Sequence, residues 1–399
     1  MTVGALPVRR RHVVFLSGFD PKGAGFYHGL FQRECARQSV VNRLAVDVGP
    51  RRRDADGNSA WRLTASGQGL TQCETSYHFA AWDDIVRRHW PRSAWRLLQD
   101  MCTAYAEILV SGELPTVWKT SRKRLVGLLY PLVVLGGGGL LALLAGAGVA
   151  WALAAAGAAS VMSVAAAIAA FGLCTLALLR IEARLNTAWL LRIFSFALKQ
   201  GRGALPELEA RLDTMADHLV QRMDDAEQDE LLVVGFSVGS ILAVSVVARA
   251  IQRFGARHPG QPVPRISFLT LGHCIPLVGL APQAHAFRSE LALLGSSASV
   301  QWFDFSSPTD WGSFALVDPL QVCRVGPEGG ERPNPRMLSP RFHTMFAPDT
   351  YRRLRRDKRR MHLQYLMAAD LPADYDFFAI TAGPMALASR YGTAGKVRQ

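Results

Sequence analysis

The chain has 399 residues, with 45 Lys and Arg against 32 Asp and Glu, which gives a net charge of +13. This excess suits an anionic partner such as nucleic acid, an acidic substrate or a lipid surface, and its sign does not choose among them. The six cysteines are scattered without a C-x-x-C pair, which argues against both a zinc site and a disulfide framework.

The first part of the chain is predicted to form a set of short strands. The apolar run HVVFLSGF, His12 to Phe19, is typical of a buried strand. Between Val40 and Phe79 the runs RLAVDV, AWRLTA and CETSYHF are separated by turn-forming segments. This spacing predicts a meander of antiparallel strands.

A long apolar block follows, from Leu125 to Leu179, without a single Asp, Glu, Lys, Arg or His. One membrane pass needs about 20 apolar residues, so the block is long enough for two passes and a tight connection. We place the passes near Gly127–Gly148 and Ala156–Leu178, with Gly136–Gly139 allowing close contact between the helices. The alternative, a hairpin buried in a soluble core, would need protein on every side of both helices.

Basic residues flank this hairpin, whereas its short connection carries no charge. By the positive-inside rule both ends of the hairpin face the cytoplasm. The N-terminus lacks the features of a signal peptide, so both termini and the soluble domain are expected there too. The predicted segments are 1–117 and 203–399 for the soluble domain and 118–202 for the hairpin. The basic flanks consist of Lys119, Arg122, Lys123 and Arg124 before the hairpin, and Arg180, Arg184 and Arg192 after it.

The last part of the chain alternates between apolar runs and helical patterns. Four runs read as strands buried on both faces: LLVVGFS, RISFLTLG, VQWFDF and FFAIT. Helical spacing is clearest in LPELEARLDTMADHLVQRM, opened by Pro206, and in SILAVSVVARAIQRF, closed by Gly255. The predicted class is α/β, with a mostly parallel sheet interrupted by the two-helix transmembrane hairpin.

One of these strands leads directly into a Gly-Phe-Ser-Val-Gly motif, Gly235 to Gly239, which opens an apolar helix. A serine in a sharp strand-to-helix turn needs glycine two residues away on each side, because a Cβ there would collide with the neighbouring strand or helix. In this motif the chain resembles the α/β-hydrolase family of serine esterases, lipases and thioesterases. The soluble parts resemble the family in their arrangement, but only this motif is specific.

The resemblance implies that Ser237 is a nucleophile, followed along the chain by an acid and a histidine. Asp310 lies in the loop after the VQWFDF strand, where the acid of the family often stands. Asp304, at the end of that strand, is the alternative acid, and Asp318 is a weaker competitor. Only geometry can decide among the three carboxylates.

For the histidine of the triad we expect His343, in a loop ahead of a long predicted helix. His362 lies within that helix, where a packing or surface role is expected. His273, at the end of the RISFLTLG strand, is a possible substrate contact or a buried histidine with satisfied hydrogen bonds.

The family also implies an oxyanion hole formed by two backbone N–H groups. We expect them at Val238, directly after the serine, and at Phe19, in the loop after the first strand. That loop often begins His-Gly in the family, whereas this chain has Ser17-Gly18. Phe236 stands where many members of the family have histidine, and it is a possible substrate contact.

The resulting expectation is a membrane-anchored serine hydrolase that cleaves an ester or thioester through a Ser237 acyl-enzyme. An acyl-containing small molecule or lipid is the expected substrate, transfer to another acceptor would use the same residues, and no cofactor or metal is implied. The alternative is a catalytically inactive hydrolase-like protein that serves as a membrane-bound binding or scaffold module. A transporter is disfavoured because the passes lack ionisable residues.

The run RRLRRDKRR, Arg352 to Arg360, carries seven basic residues in nine. It could hold anionic lipid headgroups, or it could be a solvated helix face. Nucleic acid is not expected, because no recognition motif or aromatic interleaving accompanies the charge.

Overall fold

The computed structural model describes residues 7–54, 58–67, 71–90, 93–110, 129–185, 187–326 and 332–392. It divides into two compact units. The sheet unit comprises Met1–His89 and Gln200–Gln399, and the hairpin unit comprises Trp90–Lys199. The first junction lies earlier in the chain than the predicted boundary at residue 118.

Within the described residues, nine strands form one sheet in the order β2-β4-β5-β1-β6-β7-β8-β9, and β3 pairs with β4. The strands are β1 Arg10–Leu16, β2 Ala45–Val48, β3 Arg52–Arg53, β4 Ser59–Ser66, β5 Cys73–Phe79, β6 Glu230–Phe236, β7 Ile266–Leu271, β8 Val300–Phe305 and β9 Arg336–Leu338.

The sheet is mostly parallel, as the sequence predicted. From β5 through β1, β6, β7 and β8 to β9 every pairing is parallel, whereas β2, β3 and β4 form the antiparallel meander that joins β5. Every residue of β6 and β7 is buried, which explains why their sequences are continuous apolar runs instead of alternating ones.

Helices pack around this sheet, and two sequence predictions about them are wrong. The FFAIT run forms a short helix, because the Asp376 side chain accepts hydrogen bonds from the N–H groups of Phe378 and Ala379 at its start. The helix after Ser237 continues past Gly255 to Arg257. The helices of the sheet unit are α1 Ala24–Asn42, α2 Asp83–Arg88, α7 Pro206–Met223, α8 Gly239–Arg257, α9 Pro276–Gly279, α10 His285–Ser296, α11 Pro319–Val322, α12 Pro348–Leu354, α13 Lys358–Leu363, α14 Phe377–Ala382 and α15 Leu387–Tyr391.

The hairpin unit contains two helices that are long and apolar enough to cross a membrane, Leu129–Ala155 and Ser160–Glu182. Only 11% and 6% of their most apolar windows are buried, unlike the core helix of a soluble protein. The first helix includes a π-helical stretch, Leu132–Gly137. The unit contains α3 Ala94–Val110, α4 Gly138–Ala155, α5 Ser160–Leu185 and α6 Thr187–Gly201, the last of which reaches the junction with the sheet unit.

The two long helices touch through small residues. A Cβ on Gly138 would lie 2.5 Å from a methyl group of Leu178, and one on Gly146 would lie 3.0 Å from the carbonyl oxygen of Ala167. Glycine at these two positions therefore allows the backbones of α4 and α5 to approach each other closely. The predicted basic flank before the hairpin, from Lys119 to Arg124, lies outside the described residues.

Candidate active site

The candidate site lies at the carboxyl-terminal edge of the parallel strands. Because β1, β6, β7 and β8 run in the same direction, the loops that follow them meet at one edge of the sheet. These loops carry Ser17–Asp20 after β1, Ser237 after β6, His273 after β7 and Asp310 after β8. In open α/β sheets this edge is the usual place for ligand binding.

Ser237 occupies a sharp turn between β6 and α8 with a backbone φ of 56°. This left-handed conformation is uncommon for a residue with a side chain, and it stores strain. A Cβ on Gly235 would lie 2.7 Å from the Cα of Ser240, and one on Gly239 would lie 2.2 Å from the carbonyl oxygen of Leu16. A side chain therefore cannot be accommodated at either position. Gly235 lies too close to α8, and Gly239 lies too close to β1.

A hydrogen-bonded chain joins three buried side chains at this turn. His362 Nε2 lies 2.8 Å from Ser237 Oγ, and His362 Nδ1 lies 2.9 Å and 3.0 Å from the two carboxylate oxygens of Asp310. The relative exposures of Ser237, His362 and Asp310 are only 2%, 5% and 3%. With the proton on Nδ1 donated to the carboxylate, Nε2 is free to accept the serine O–H.

His362, and not the predicted His343, is the histidine that the structure brings to Ser237. His343 is exposed in the 3-10 turn Phe342–Thr344, where its ring lies 6.3 Å from that of Tyr351. The single long helix expected after it is instead two short helices, α12 and α13. Asp357 starts the second helix by accepting a hydrogen bond from the N–H of Arg360. This break redirects the chain, so the side chain of His362 is buried against Ser237.

Asp310 is held by several donors besides the histidine. The N–H of Gly312 donates to it at 2.9 Å, and the hydroxyl of Tyr365 donates at 3.1 Å. Tyr365 is itself fixed, because its oxygen accepts the N–H of Ser307 at 2.8 Å. Burial alone would raise the pKa of Asp310, but the charge and hydrogen bond of His362, together with the hydrogen bond from the N–H of Gly312, lower it below its usual value. The carboxylate therefore stays charged beside the imidazole.

The other two candidate carboxylates have different neighbours. Asp304 is fully buried and accepts hydrogen bonds from the hydroxyl groups of Thr270 and Ser306, both at 2.7 Å. Burial raises the pKa of Asp304 despite these partners. Asp318 caps α11 by accepting the N–H of Leu320. Neither carboxylate is bonded to His362, so Asp310 is the acid that the geometry supports.

The two proposed substrate contacts, Phe236 and His273, are buried. The Phe236 ring lies 5.1 Å from the ring of His362, so it packs behind the imidazole. His273 is completely buried, and its Nε2 lies 3.0 Å from the carbonyl oxygen of Val317. His273 is therefore buried, as its alternative interpretation expected, but its hydrogen bonds are not all satisfied, because Nδ1 has no partner among the described residues.

The loop after β1 approaches the serine closely. A Cβ on Gly18 would lie 3.0 Å from the Cβ of Ser237, so glycine is needed where this loop passes the nucleophile. The next residue, Phe19, has its ring 6.1 Å from that of Trp82, whose indole N–H donates to the carbonyl of Ser17. Val238 lies directly before α8, at the end of the helix where backbone N–H groups have no intrahelical acceptor.

Cys274 also contacts Ser237, and no motif in the sequence signals this contact. Its Sγ lies 3.8 Å from Ser237 Oγ and 3.3 Å from the carbonyl oxygen of Gly312. Burial raises the pKa of Cys274 to about 12, with only partial opposition from the Ser237 hydrogen bond. The residue is therefore a neutral thiol at neutral pH and serves as packing next to the serine.

Among the residues that the structure describes, no group of three or more His, Cys, Asp or Glu side chains is placed to hold a metal ion. Comparisons with protein-family models, with curated proteins and with solved structures each found no match.

Proposed function

We propose that the protein is a serine hydrolase of the α/β-hydrolase type that cleaves an ester or thioester through an acyl-enzyme on Ser237. One observation carries this proposal: the buried chain from Ser237 Oγ through His362 to Asp310, with distances of 2.8 Å and 2.9 Å. The strained turn and the obligatory glycines on both sides of the serine support it.

The proposed reaction uses these side chains in two stages. Ser237 Oγ attacks the acyl carbonyl while His362 Nε2 takes its proton, and the same proton then passes to the departing alcohol or thiol. Asp310 keeps the proton of the imidazole on Nδ1 and stabilises the imidazolium. A water molecule, deprotonated by His362, then attacks the acyl carbon, and His362 returns that proton to Ser237 Oγ as its bond to the acyl group breaks and the carboxylic acid leaves.

The oxyanion of each tetrahedral intermediate needs hydrogen-bond donors opposite the histidine. We assign them to the backbone N–H groups of Val238 and Phe19. The first lies at the N-terminus of α8, where the helix dipole favours negative charge. The second follows Gly18, whose lack of a side chain lets the loop pass close to Ser237.

We further propose that the two long apolar helices anchor this hydrolase in a membrane, with both ends of the hairpin and both termini in the cytoplasm. Their exposed, uniformly apolar surfaces support the anchor, because water would disfavour them. An acyl lipid or another apolar ester of the same membrane is the substrate class that such an anchor favours.

A fluorophosphonate probe tests the activated serine, because it reacts with serine hydrolases through the nucleophile. We expect membranes containing the wild-type protein to be labelled, and Ser237→Ala to remove the label. Ser289→Ala, a change at an exposed serine of α10, is the matched control and should leave labelling intact. A folded wild-type protein that is not labelled would instead favour the inactive binding or scaffold module.

A further inference from the structure

The segment that carries the candidate histidine also carries a tyrosine that reaches the same acid. Tyr365 lies three residues after His362, in the short 3-10 turn Gln364–Leu366 that directly follows α13. Its hydroxyl lies 3.1 Å from Oδ2 of Asp310, and His362 Nδ1 lies 2.9 Å from the same oxygen. One carboxylate oxygen is therefore held by two side chains from a single short stretch of the chain.

The other oxygen of Asp310 has a donor of its own. Oδ1 accepts the backbone N–H of Gly312 at 2.9 Å, and His362 Nδ1 lies 3.0 Å from it. The last torsion of an aspartate side chain is otherwise broad, so hydrogen bonds must fix the plane of the carboxylate. The hydroxyl of Tyr365 fixes Oδ2 in the same way as the N–H of Gly312 fixes Oδ1.

Tyr365 is fully buried, and its own position is fixed by several contacts. Its hydroxyl accepts the N–H of Ser307 at 2.8 Å, and its backbone carbonyl accepts the hydroxyl of Tyr375 at 2.6 Å. Gly272 has a backbone φ of 54°, and a Cβ there would lie 2.8 Å from Cε2 of the Tyr365 ring. A side chain that is locked in this way can hold a neighbouring group in one orientation.

The direction of these hydrogen bonds follows from the partners of the phenol. The backbone N–H of Ser307 can only donate, and an ionised carboxylate can only accept. The phenol proton therefore points toward Asp310. Burial, helped by the charge of Asp310, raises the pKa of Tyr365 well above its usual value, so the oxygen keeps this proton.

We infer that Tyr365 is a positioning residue of the catalytic site, whose hydroxyl orients Asp310 toward His362 and shares the negative charge of that carboxylate. This inference rests on the proposed function, because it concerns the same Ser237 site. A hydrogen bond to a carboxylate stabilises its charged form and so weakens its hold on a neighbouring proton. The hydroxyl therefore keeps the imidazole aimed at the serine without letting the acid bind the proton of the imidazole too tightly.

The test measures the rate of fluorophosphonate labelling as a function of pH, using the full chain in an uncharged detergent. Tyr365→Phe keeps the buried ring and removes the hydroxyl that contacts Asp310. Tyr391→Phe is the matched control, because this tyrosine is also largely buried and its hydroxyl donates to the carbonyl oxygen of Asp374 at 2.8 Å. Each variant loses one tyrosine hydroxyl, but only the first loses a donor to the acid.

We expect the labelling rate of the wild type to rise with pH as the imidazole loses its proton. In Tyr365→Phe the maximal rate should be about tenfold lower, because Asp310 holds the imidazole less firmly. The midpoint of the rise should move upward by about 0.5 pH units or more, because a carboxylate with one donor fewer keeps the proton on the imidazole. Tyr391→Phe should stay within about twofold of the wild-type rate and keep its midpoint.

The other titratable side chains on the elements that meet at the triad are identical in the two variants, so they cannot make the midpoints differ. They are Asp20 after β1, His273 and Cys274 after β7, Asp304 on β8, and Lys358–Arg360 on α13. A partly unfolded variant would reduce the amount of labelled protein, but it would not move the midpoint.

A wild-type midpoint in Tyr365→Phe would overturn the inference at any labelling rate, because the hydroxyl would then contribute to packing alone. The same shift in both variants would also overturn it, because the loss of any buried tyrosine hydroxyl would then have this effect. Both results leave the hydrolase proposal in place, since the wild type is labelled in each. Failure of the probe to label the wild type would overturn the proposed function and this inference together.

Discussion

The two units of the protein differ in which side chains they bury and which they expose. In the sheet unit even a charged pair is buried: Arg11 Nε lies 2.7 Å from a carboxylate oxygen of Glu230, and Ser267 donates a further hydrogen bond to that carboxylate. In the hairpin unit, large apolar side chains such as Leu141 and Trp151 are exposed, with relative exposures of 68% and 75%.

This contrast is the one that the proposed membrane anchor requires of the two units. A buried ion pair is tolerated only when its atoms find partners, and the carboxylate of Glu230 has two of them in Arg11 and Ser267. A helix surface of leucine, valine and alanine is unfavourable in water at about 25 cal/mol per Å² of exposed apolar area, and favourable in hydrocarbon. The hydrophobic effect therefore favours an apolar interior in the sheet unit, and it favours contact of the hairpin's apolar exterior with hydrocarbon.

The largest expected effect distinguishes His362 from His343. It tests whether the hydrogen bonds that join Ser237, His362 and Asp310 in the sheet unit are needed for reactivity. His362→Gln should lower the rate of fluorophosphonate labelling by about 10³-fold or more, because the proton of Ser237 loses its acceptor. His343→Gln, at an exposed position, should leave the rate within about twofold of wild type. The measurement is the second-order labelling rate of each purified protein.

Thermal unfolding of the same three proteins controls for loss of structure. If His362→Gln keeps both its fold and the wild-type labelling rate, the hydrogen-bonded chain is structural only and the site proposal fails. If His343→Gln instead shows the large loss, the histidine would have to be reassigned to the position first expected from the sequence.

The next effect tests the hairpin unit. Leu141→Arg puts a charge near the middle of the helix Leu129–Ala155, where insertion of Arg into a bilayer costs about 2.5–3.5 kcal/mol. We expect a clear increase in the fraction of protein that alkaline carbonate extracts from membranes. Val40→Arg is the matched control: Val40 is 82% exposed on α1 of the sheet unit, so the same change should alter stability by no more than about 0.5 kcal/mol.

A wild-type protein that alkaline carbonate extracts fully would contradict the membrane anchor. If alkaline carbonate extracted the Leu141 and Val40 variants equally, the exposed apolar surface of the hairpin would not be in contact with lipid. The hairpin would then be covered by protein in solution.

Much of the fold could be predicted from the sequence, because a strand that is buried on both faces of a sheet appears in the sequence as a short, mostly apolar run. The runs of β6 and β7 are buried at every position and mostly apolar, and this pattern predicted strands of a parallel sheet. The same pattern misled at Phe377–Ala382, where a short helix buried on all sides also reads as a continuous apolar run. Distinguishing the two required the cap at Asp376, which periodicity does not reveal.

The site was predictable where local geometry determines the residues and not where tertiary geometry does. The glycines around Ser237 are needed by its own turn, so the motif was readable, and the loop after β8 suggested Asp310. The histidine depended on a helix break at Asp357, inside a basic run that looked continuous. Asp357 ahead of Arg360 is a capping signal that could have divided the run into two helices.

The smallest of these effects concerns a cluster of three histidines in the sheet unit. His12, His78 and His218 bring their rings together from β1, β5 and α7, with the rings of His78 and His218 4.3 Å apart. Burial, helped by the charge of Arg222 and by the other imidazoles, lowers the pKa of His12 to about 3. Burial likewise lowers the pKa of His78 to about 4.

A histidine with a lowered pKa stays neutral in the folded state, whereas the unfolded chain takes up a proton once the pH falls below about 6.5. Its contribution to stability is therefore complete above that pH and is lost as the pH falls toward the folded pKa. For His12 this loss is about 2 kcal/mol between pH 7.5 and pH 5. We expect His12→Gln to show a smaller decrease in unfolding free energy over this range, measured by urea titration of tryptophan fluorescence, with His343→Gln behaving as wild type. An unchanged decrease in His12→Gln would mean that other groups, and not this buried imidazole, set the acid sensitivity of the sheet unit.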